Sequence, residues 1–217
     1  MRNRFDAQLA QLNAEMIQMG SLCERAIAGA VKALVEGDSG LAAQIMAQDE
    51  EVNQQEKNIE ALCLKLLLQQ QPVARDLRQI SSALKMITDM ERIGDQAADI
   101  AEILVMENRP VTMPNIPLEE MGKATSKMVT DSVEAYVRKD LEGAKAVIAY
   151  DDVVDKLFDE VKAELIRLIG QNMANGEWAM DLLMIAKYFE RIGDHATNIA
   201  EWVEFSITGE HRSEREL

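Results

Sequence analysis

Two copies of the pentapeptide Glu-Arg-Ile-Gly-Asp carry the carboxylates best placed to do chemistry. Glu91 and Asp95 belong to the first copy, and Glu190 and Asp194 belong to the second, 99 positions further along the chain. A spacing of four puts both acids of a copy on neighbouring turns of one helix. Two acids this close at the margin of a core are costly unless a positive charge compensates them. The spacing therefore favours a cation site in each half of the chain.

Two further pairs of oxygen-bearing side chains occur at the same spacing. Asp49 and Asn53 form the first pair, and Asp151 and Asp155 form the second. Each pair flanks an apolar seam on its own predicted helix. If these helices lie beside the pentapeptide helices, three or four oxygen donors meet in each half.

All-oxygen sites suit hard cations such as iron(III), manganese, magnesium or calcium, and they can admit zinc. The sequence contains only two histidines, His195 and His211, and has no Glu-x-x-His pair of the ferritin-like kind. It also lacks a phosphate-binding glycine loop and a nucleophile motif. A metal-dependent hydrolase or oxidase that activates a metal-bound water stays open as an alternative function. His195 itself is interpreted as a surface residue, because it points away from its neighbour Asp194.

A competing interpretation leaves the acids on a solvated face, neutralised by nearby arginines. The candidate partners are Arg92, Arg191, Arg75 and Arg78. The third helix also has a second apolar line, formed by Ile93, Ala97, Ile100 and Leu104, and burying that line instead would expose Glu91. In this case the chain is a structural helical scaffold without bound metal.

Apolar residues recur at spacings of three and four through most of the chain, which predicts helices. We predict six, at 4–36, 40–69, 73–107, 117–138, 141–170 and 177–207. Asp38 and Asp140 are expected to cap the helices that follow them. Pro72 and Pro117 are expected at first helical positions, where a missing N–H costs little. The segment from 106 to 116 is predicted to link the two halves.

The two halves repeat each other. The second and fifth predicted helices carry the same heptad seam at a shift of 102, in which Ile45, Val52, Ile59 and Leu66 correspond to Val147, Val154, Val161 and Leu168. The third helix has a seam that begins Leu77, Ile80, Leu84 and Ile87 and reaches Glu91 and Gly94. The sequence therefore predicts an all-α fold of two tandem three-helix bundles, residues 1–109 and 110–217, with antiparallel helices.

Charge and hydropathy exclude some classes of partner. The formal net charge is −15, and such a surface repels nucleic-acid phosphates and anionic headgroups. No segment approaches the roughly 20 apolar residues that span a membrane. We therefore expect neither nucleic-acid binding nor direct membrane insertion.

The doubled pentapeptide in duplicated bundles, with Pro72-Val73-Ala74-Arg75-Asp76-Leu77-Arg78 entering the third helix, resembles the PhoU family. The resemblance runs from about residue 5 to 208. It implies a cytoplasmic, often dimeric regulator that is not an enzyme. The partners it implies are the phosphate ABC transporter ATPase PstB and the sensor histidine kinase PhoR. When phosphate is plentiful, such a protein restrains phosphate uptake and the phosphate-starvation response.

Some members of the family bind iron or zinc clusters through acidic motifs with this four-residue spacing. Carried over to this chain, the resemblance implies metal ligands at Asp49, Asn53, Glu91, Asp95, Asp99, Asp151, Asp155, Glu190 and Asp194. Two positions differ between the halves, because Asn53 corresponds to Asp155 and Asp99 corresponds to Asn198. We therefore expect the two sites to be inequivalent.

Overall fold

The computed structural model describes residues 2–70, 72–107 and 116–210. These residues form α1 (Arg2–Glu36), α2 (Ser39–Gln70), α3 (Ala74–Glu107), α4 (Leu118–Arg138), α5 (Leu141–Gln171) and α6 (Gly176–Thr208), with a short 3₁₀ turn at Met173–Asn175. The predicted all-α fold of six helices in two repeats is confirmed. Most of the predicted linker, with Pro110 and Pro114, lies outside the described residues, as do the predicted boundary after residue 109 and His211. None of the described helices combines the length and apolarity that crossing a membrane requires.

The helix starts follow the capping signals. Asp38 Oδ1 accepts a hydrogen bond from the Leu41 amide at 2.9 Å, and Asp140 Oδ1 accepts one from the Gly143 amide at 3.0 Å. Both predicted N-caps are therefore present. The prediction for the prolines was wrong, because α3 begins two residues after Pro72 and α4 begins one residue after Pro117. Proline fits just before a helix as well as at its first position, because a backbone N–H at either place makes no hydrogen bond within the helix.

Helices α1, α2 and α3 pack together as one bundle, and α4, α5 and α6 pack as the other. The bundles join through two further contacts, α3 against α6 and α1 against α4. The four helices α1, α3, α6 and α4 contact one another in a closed ring, with α2 packed on α1 and α3 and with α5 packed on α4 and α6. The pentapeptide helices α3 and α6 thus touch each other and also their own outer helices.

Because α3 packs against α1, α2 and α6, it buries both of its apolar lines. Ile80 and Ile87 are buried, and so are Ile93 and Ile100 on the other line. The choice between the two lines posed by the sequence therefore does not arise. Leu77 was wrongly predicted to belong to the buried seam and is 46% exposed, because it lies in the first turn of α3, at the end of the bundle.

The contact between α1 and α4 depends on two equivalent glycines. A β-carbon on Gly122 would stand 2.1 Å from Val31 Cγ2, and one on Gly20 would stand 3.1 Å from Val133 Cγ2. Gly20 and Gly122 occupy equivalent positions in the two repeats, and so do Val31 and Val133. Each glycine therefore packs against the valine of the other bundle. The repeat extends to this packing detail and brings the two bundles into close contact.

Candidate functional site

Helices α2 and α3 bring the first set of predicted ligands together. A β-carbon on Gly94 would stand 3.1 Å from Asp49 Oδ1 and equally close to Val52 Cγ1. The aspartate of α2 therefore lies directly against the glycine of the first pentapeptide. The absence of a side chain on Gly94 thus leaves room for Asp49.

The second half repeats this arrangement between α5 and α6. A β-carbon on Gly193 would stand 3.2 Å from Asp151 Oδ1 and 3.4 Å from Val154 Cγ1. The same aspartate, glycine and valine positions meet in both bundles. We call Asp49, Asn53, Glu91, Asp95 and Asp99 the first acidic cluster, and Asp151, Asp155, Glu190 and Asp194 the second.

Like charges act on each other within the first acidic cluster. Burial raises the pKa of Asp49, Glu91 and Asp99, and in each case the Asp95 carboxylate raises it further. Asn53 opposes this at Asp49, because its Nδ2 donates a hydrogen bond to Asp49 Oδ2 at 2.9 Å. The predicted ligands are therefore close enough to disfavour one another's ionised forms, which a bound cation would reverse.

The second acidic cluster shows a stronger effect. Burial raises the pKa of Asp151 from its ordinary value of 3.8 to about 6, and Asp155, Asp194 and Glu190 add to the rise. Burial and Glu190 also raise the pKa of Asp194. Where the first cluster has the neutral Asn53, the second has the carboxylate of Asp155. This difference accounts for the larger repulsion and supports the expected inequivalence.

The counter-ions differ from those that the sequence suggested. Arg92 pairs with Asp95 at 2.9 Å and with Glu91 at 3.4 Å, so the interpretation of arginine-paired acids is correct for this residue. Lys187, which the sequence analysis did not consider, forms an ion pair with Glu190. In the described part of the chain, Arg75, Arg78 and Arg191 form no ion pair with a cluster acid, although the charge of Arg191 opposes the rise in the pKa of Asp99. In each pair the basic side chain is partly exposed, and such pairs contribute modestly to stability and can be exchanged.

Two oxygen atoms in the first cluster are buried without a hydrogen-bond partner. They are Asp49 Oδ1 and Asn53 Oδ1. Buried acceptors of this kind are normally satisfied, and a hard cation is a chemically suitable partner for them. As the side chains are placed, no three His, Cys, Asp or Glu residues within the described ranges form a ready metal site. The oxygen atoms of the first cluster are therefore chemically suitable ligands for a cation. Their side chains would have to rotate to enclose one.

Glu56 of α2 is a neighbour of the first cluster that the sequence analysis missed. Burial and Glu60 raise its pKa, Arg92 lowers it, and Asp95 adds a further rise. Glu56 lies three positions after Asn53, a spacing that places the two residues on the same face of the helix and could have indicated its position near the cluster. The equivalent residue in α5 is Phe158, whose ring centroid lies 5.6 Å from Lys187 Nζ. Glu56 thus adds a carboxylate to the first half that the second half lacks.

His195 links the two bundles, and its interpretation as a surface residue was wrong. Its Nδ1 lies 2.9 Å from Asp89 Oδ1, and Asn198 Nδ2 donates to the same oxygen at 3.1 Å. The pair connects α6 to α3, and the His195 side chain is only 23% exposed. A contact between bundles of this kind has no signature in the spacing within one helix.

Comparison with known proteins gives the same family that the pentapeptides suggested. The family model described as "PhoU domain" matches twice, at residues 16–104 and 118–203. One match falls in each bundle, so both halves are copies of one domain. Together they span most of the chain.

Curated relatives and solved structures agree. A phosphate-specific transport system accessory protein PhoU homolog of Clostridium acetobutylicum is 35% identical over 210 residues, covering 96% of each chain. The crystal structure of PhoU from Pseudomonas aeruginosa superposes with a TM-score of 0.88 at 35% identity, covering 95% of this chain and 100% of that one. The phosphate transport system regulatory protein PhoU from Streptococcus pneumoniae gives a TM-score of 0.87 at 28% identity, covering 95% and 98%.

These relatives are named as accessory or regulatory proteins, so the prediction of a regulator and not an enzyme is confirmed at the level of the family. The alternative of a hydrolase or oxidase has no support among them. With two domain matches and near-complete coverage by relatives, the chain belongs to the PhoU family.

Proposed function

We propose that this chain restrains phosphate uptake as a cytoplasmic adaptor between a phosphate ABC transporter ATPase of the PstB kind and a sensor histidine kinase of the PhoR kind. The observation that carries the proposal is the double match to the PhoU domain. The names of the relatives, which place them in the phosphate-specific transport system, supply the process. The proposal includes a homodimer as the active form.

The physical character of the surface supports an adaptor. Helices of 31 to 35 residues, such as α1, α2, α3 and α5, offer long and rigid faces. The net charge of −15 favours partners with basic surfaces and accelerates encounter with them. We therefore expect both proposed interactions to weaken as the salt concentration rises.

We further propose that the two acidic clusters bind metal ions, with iron, zinc, manganese, magnesium and calcium as candidates. The support is the close approach of carboxylates from α2 and α3 in the first half and from α5 and α6 in the second. In addition, Asp49 Oδ1 is buried without a hydrogen-bond partner. A bound cation would supply the positive charge that these carboxylates lack. The protein's own contribution is to present oxygen donors from two helices at once, which would hold those helices together.

Gene replacement tests the regulatory role. In a bacterium whose own PhoU gene is deleted, this chain should restore repression of a phosphate-starvation reporter at high phosphate. A variant with Glu91→Gln and Glu190→Gln should fail to do so while accumulating normally. The matched control is Glu142→Gln with Glu119→Gln, which removes two surface carboxylates that are paired only with lysines. An unchanged reporter with the wild-type chain would refute the proposal.

Elemental analysis of untagged protein tests the metal role separately. We expect bound metal in the wild type and less in a variant with Glu91→Ala and Glu190→Ala, with the helical circular dichroism preserved. The two surface-carboxylate substitutions described above serve as the control for the loss of charge. If the metal content of the cluster variant equals that of the wild type, the ligand assignment is wrong.

A further inference from the structure

A cavity of about 380 Å³ lies where the first turns of α3 meet the last turns of α4 and α6. Its polar lining consists of Arg75, Arg78 and Gln79 from α3, Tyr136 and Lys139 at the end of α4, and Ser206 from α6. Both bundles thus contribute to it. Its size falls within the range of sites that bind small molecules, which is roughly 300–1,000 Å³.

The charge of this cavity is opposite to that of the protein. Three cations line it and, among the described residues, no Asp or Glu does, although the chain has a net charge of −15. Three other grooves of similar size each have glutamates in their walls: Glu36 and Glu119 in one, Glu24 and Glu134 in the next, and Glu50 and Glu51 in the third. The cavity is therefore a local basic site on an acidic molecule.

The three cations lack a paired carboxylate in the part of the chain that the structure describes. Within the described residues, Arg75, Arg78 and Lys139 form none of the ion pairs that engage Arg25, Arg92 and Arg138 elsewhere. Arg78 Nε is moreover buried without a hydrogen-bond partner. A buried donor of this kind normally has an acceptor. An anion in the cavity would provide one.

A simpler explanation is that the cations offset the negative ends of α4 and α6. Arg78 does pack on the C-cap of α6, since a β-carbon on Gly209 would stand 3.5 Å from its Cζ. That explanation leaves the buried Nε of Arg78 without an acceptor. The backbone of Lys139, which caps α4 at φ 55°, is also unusual. It is the one non-glycine residue with positive φ in the described chain, at a position where glycine is usually preferred. A lysine here costs stability that glycine would not, which is understandable if its charge is needed.

Two hydroxyl groups complete the lining. The Tyr136 hydroxyl donates to the Gln79 carbonyl oxygen at 3.3 Å, which is long for a bond of this type and easily exchanged. Ser206 Oγ donates to the Val203 carbonyl oxygen at 2.8 Å, so its proton can face an anion only once that bond is exchanged. Guanidinium groups, an ammonium group and neutral hydroxyls are the donors that bind tetrahedral oxyanions.

We propose that this cavity binds a phosphate oxyanion, either inorganic phosphate or the phosphoryl group of a small monoester. Arg75 and Arg78 would donate to its oxygens from one side and Lys139 from the other, with the two hydroxyl groups between them. The site is separate from both acidic clusters. It goes beyond the adaptor role and stands or falls independently of that role.

Calorimetric titration of the full chain tests the proposal, after chelation and dialysis so that no metal can mediate binding. Inorganic phosphate and glycerol 3-phosphate are titrated separately, and the arm that saturates identifies the source of the phosphoryl group. We expect one site with a Kd of about 1 mM or tighter. Lys139→Gly and Arg75→Gln should each weaken binding about tenfold, the loss of one charge-assisted hydrogen bond. Lys139→Gly keeps the fold, because glycine suits the left-handed cap.

Arg138→Gln is the matched control, since it removes a positive charge next to Lys139 from a residue that lines another groove. It should leave the affinity within about twofold. Absence of saturable binding in both arms would overturn the proposal. Equal weakening by Arg138→Gln, or equal binding of chloride, would also overturn it, because either would reveal general charge attraction only.

Discussion

Asp49 Oδ1 lies 3.1 Å from the place where a β-carbon on Gly94 would stand. The Gly94→Ala substitution should therefore push the Asp49 side chain out of the first acidic cluster. Alanine is intrinsically favoured over glycine in a helix by up to about 1 kcal/mol, so the fold should survive. We expect Mn²⁺ affinity at this cluster to fall about tenfold, measured by calorimetric titration.

The control for this experiment is Gly170→Ala, at a helical glycine with no atom within 4 Å of its would-be β-carbon. It should leave Mn²⁺ binding unchanged. If Gly94→Ala also binds Mn²⁺ like the wild type, Asp49 is not a ligand.

The Gly122→Ala substitution should separate the two bundles. Its β-carbon would stand 2.1 Å from Val31 Cγ2, and a packed valine cannot yield that much without moving α1 away from α4. We expect a loss of about 1–3 kcal/mol in the free energy of unfolding, measured by urea denaturation. Gly170→Ala should instead stabilise the protein by up to about 1 kcal/mol. Equal stability of the two variants would mean that the α1–α4 contact is loose in solution.

The Asp151→Asn substitution should stabilise the metal-free protein near neutral pH. Because the pKa of Asp151 is raised from 3.8 to about 6, the folded state holds this proton more tightly than the unfolded chain does. The group therefore favours folding below about pH 4 and loses that contribution as the pH rises to about 6. After allowance for solvent screening, we expect a gain of about 1–2 kcal/mol at pH 7.

Urea denaturation in the presence of a chelator, at pH 7 and at pH 4, measures this effect. The gain should largely disappear at pH 4, where the wild-type carboxyl is protonated in the folded state and about half protonated in the unfolded chain. Asp152→Asn, at the exposed neighbouring position, should change little at either pH. A gain of the same size at both values of pH would assign it to packing and not to ionisation.

The Asp89–His195 pair should contribute to the contact between α3 and α6. In a double-mutant cycle with Asp89→Ala and His195→Ala, we expect a coupling of about 0.5–1 kcal/mol, since the pair is only partly exposed. The comparison cycle is Arg25→Ala with Glu51→Ala, whose side chains are 60% and 57% exposed. That cycle should give less than about 0.5 kcal/mol. The importance of the first pair would be disproved if its coupling did not exceed that of the second.

The sequence predicted the features that repeat along one helix. The seam through Ile45, Val52 and Ile59, and the caps Asp38 and Asp140, follow from local spacing and chain geometry. The approach of Asp49 to Gly94 was also predictable, because a glycine on a core-facing line leaves room for a neighbour. These features depend on periodicity, which a sequence displays directly.

Features that depend on how the two bundles meet could not be predicted. The contact of His195 with Asp89 joins residues 106 positions apart, on helices whose relative placement no spacing encodes. The same limit applies to the basic cavity, which needs the ends of three helices in one place. Lys187 was missed as the partner of Glu190 because arginine within the pentapeptide was the more obvious candidate.

The direct packing of α3 on α6 has a thermodynamic consequence. The helix that carries Glu91 and the helix that carries Glu190 share one interface, so a cation that shifts α3 within its own bundle also alters the surface on which α6 rests. If the proposed cations bind, occupancy of the two clusters would then be linked, and by reciprocity each ion would change the affinity for the other by the same factor. A protein built in this way would respond to metal as one cooperative unit.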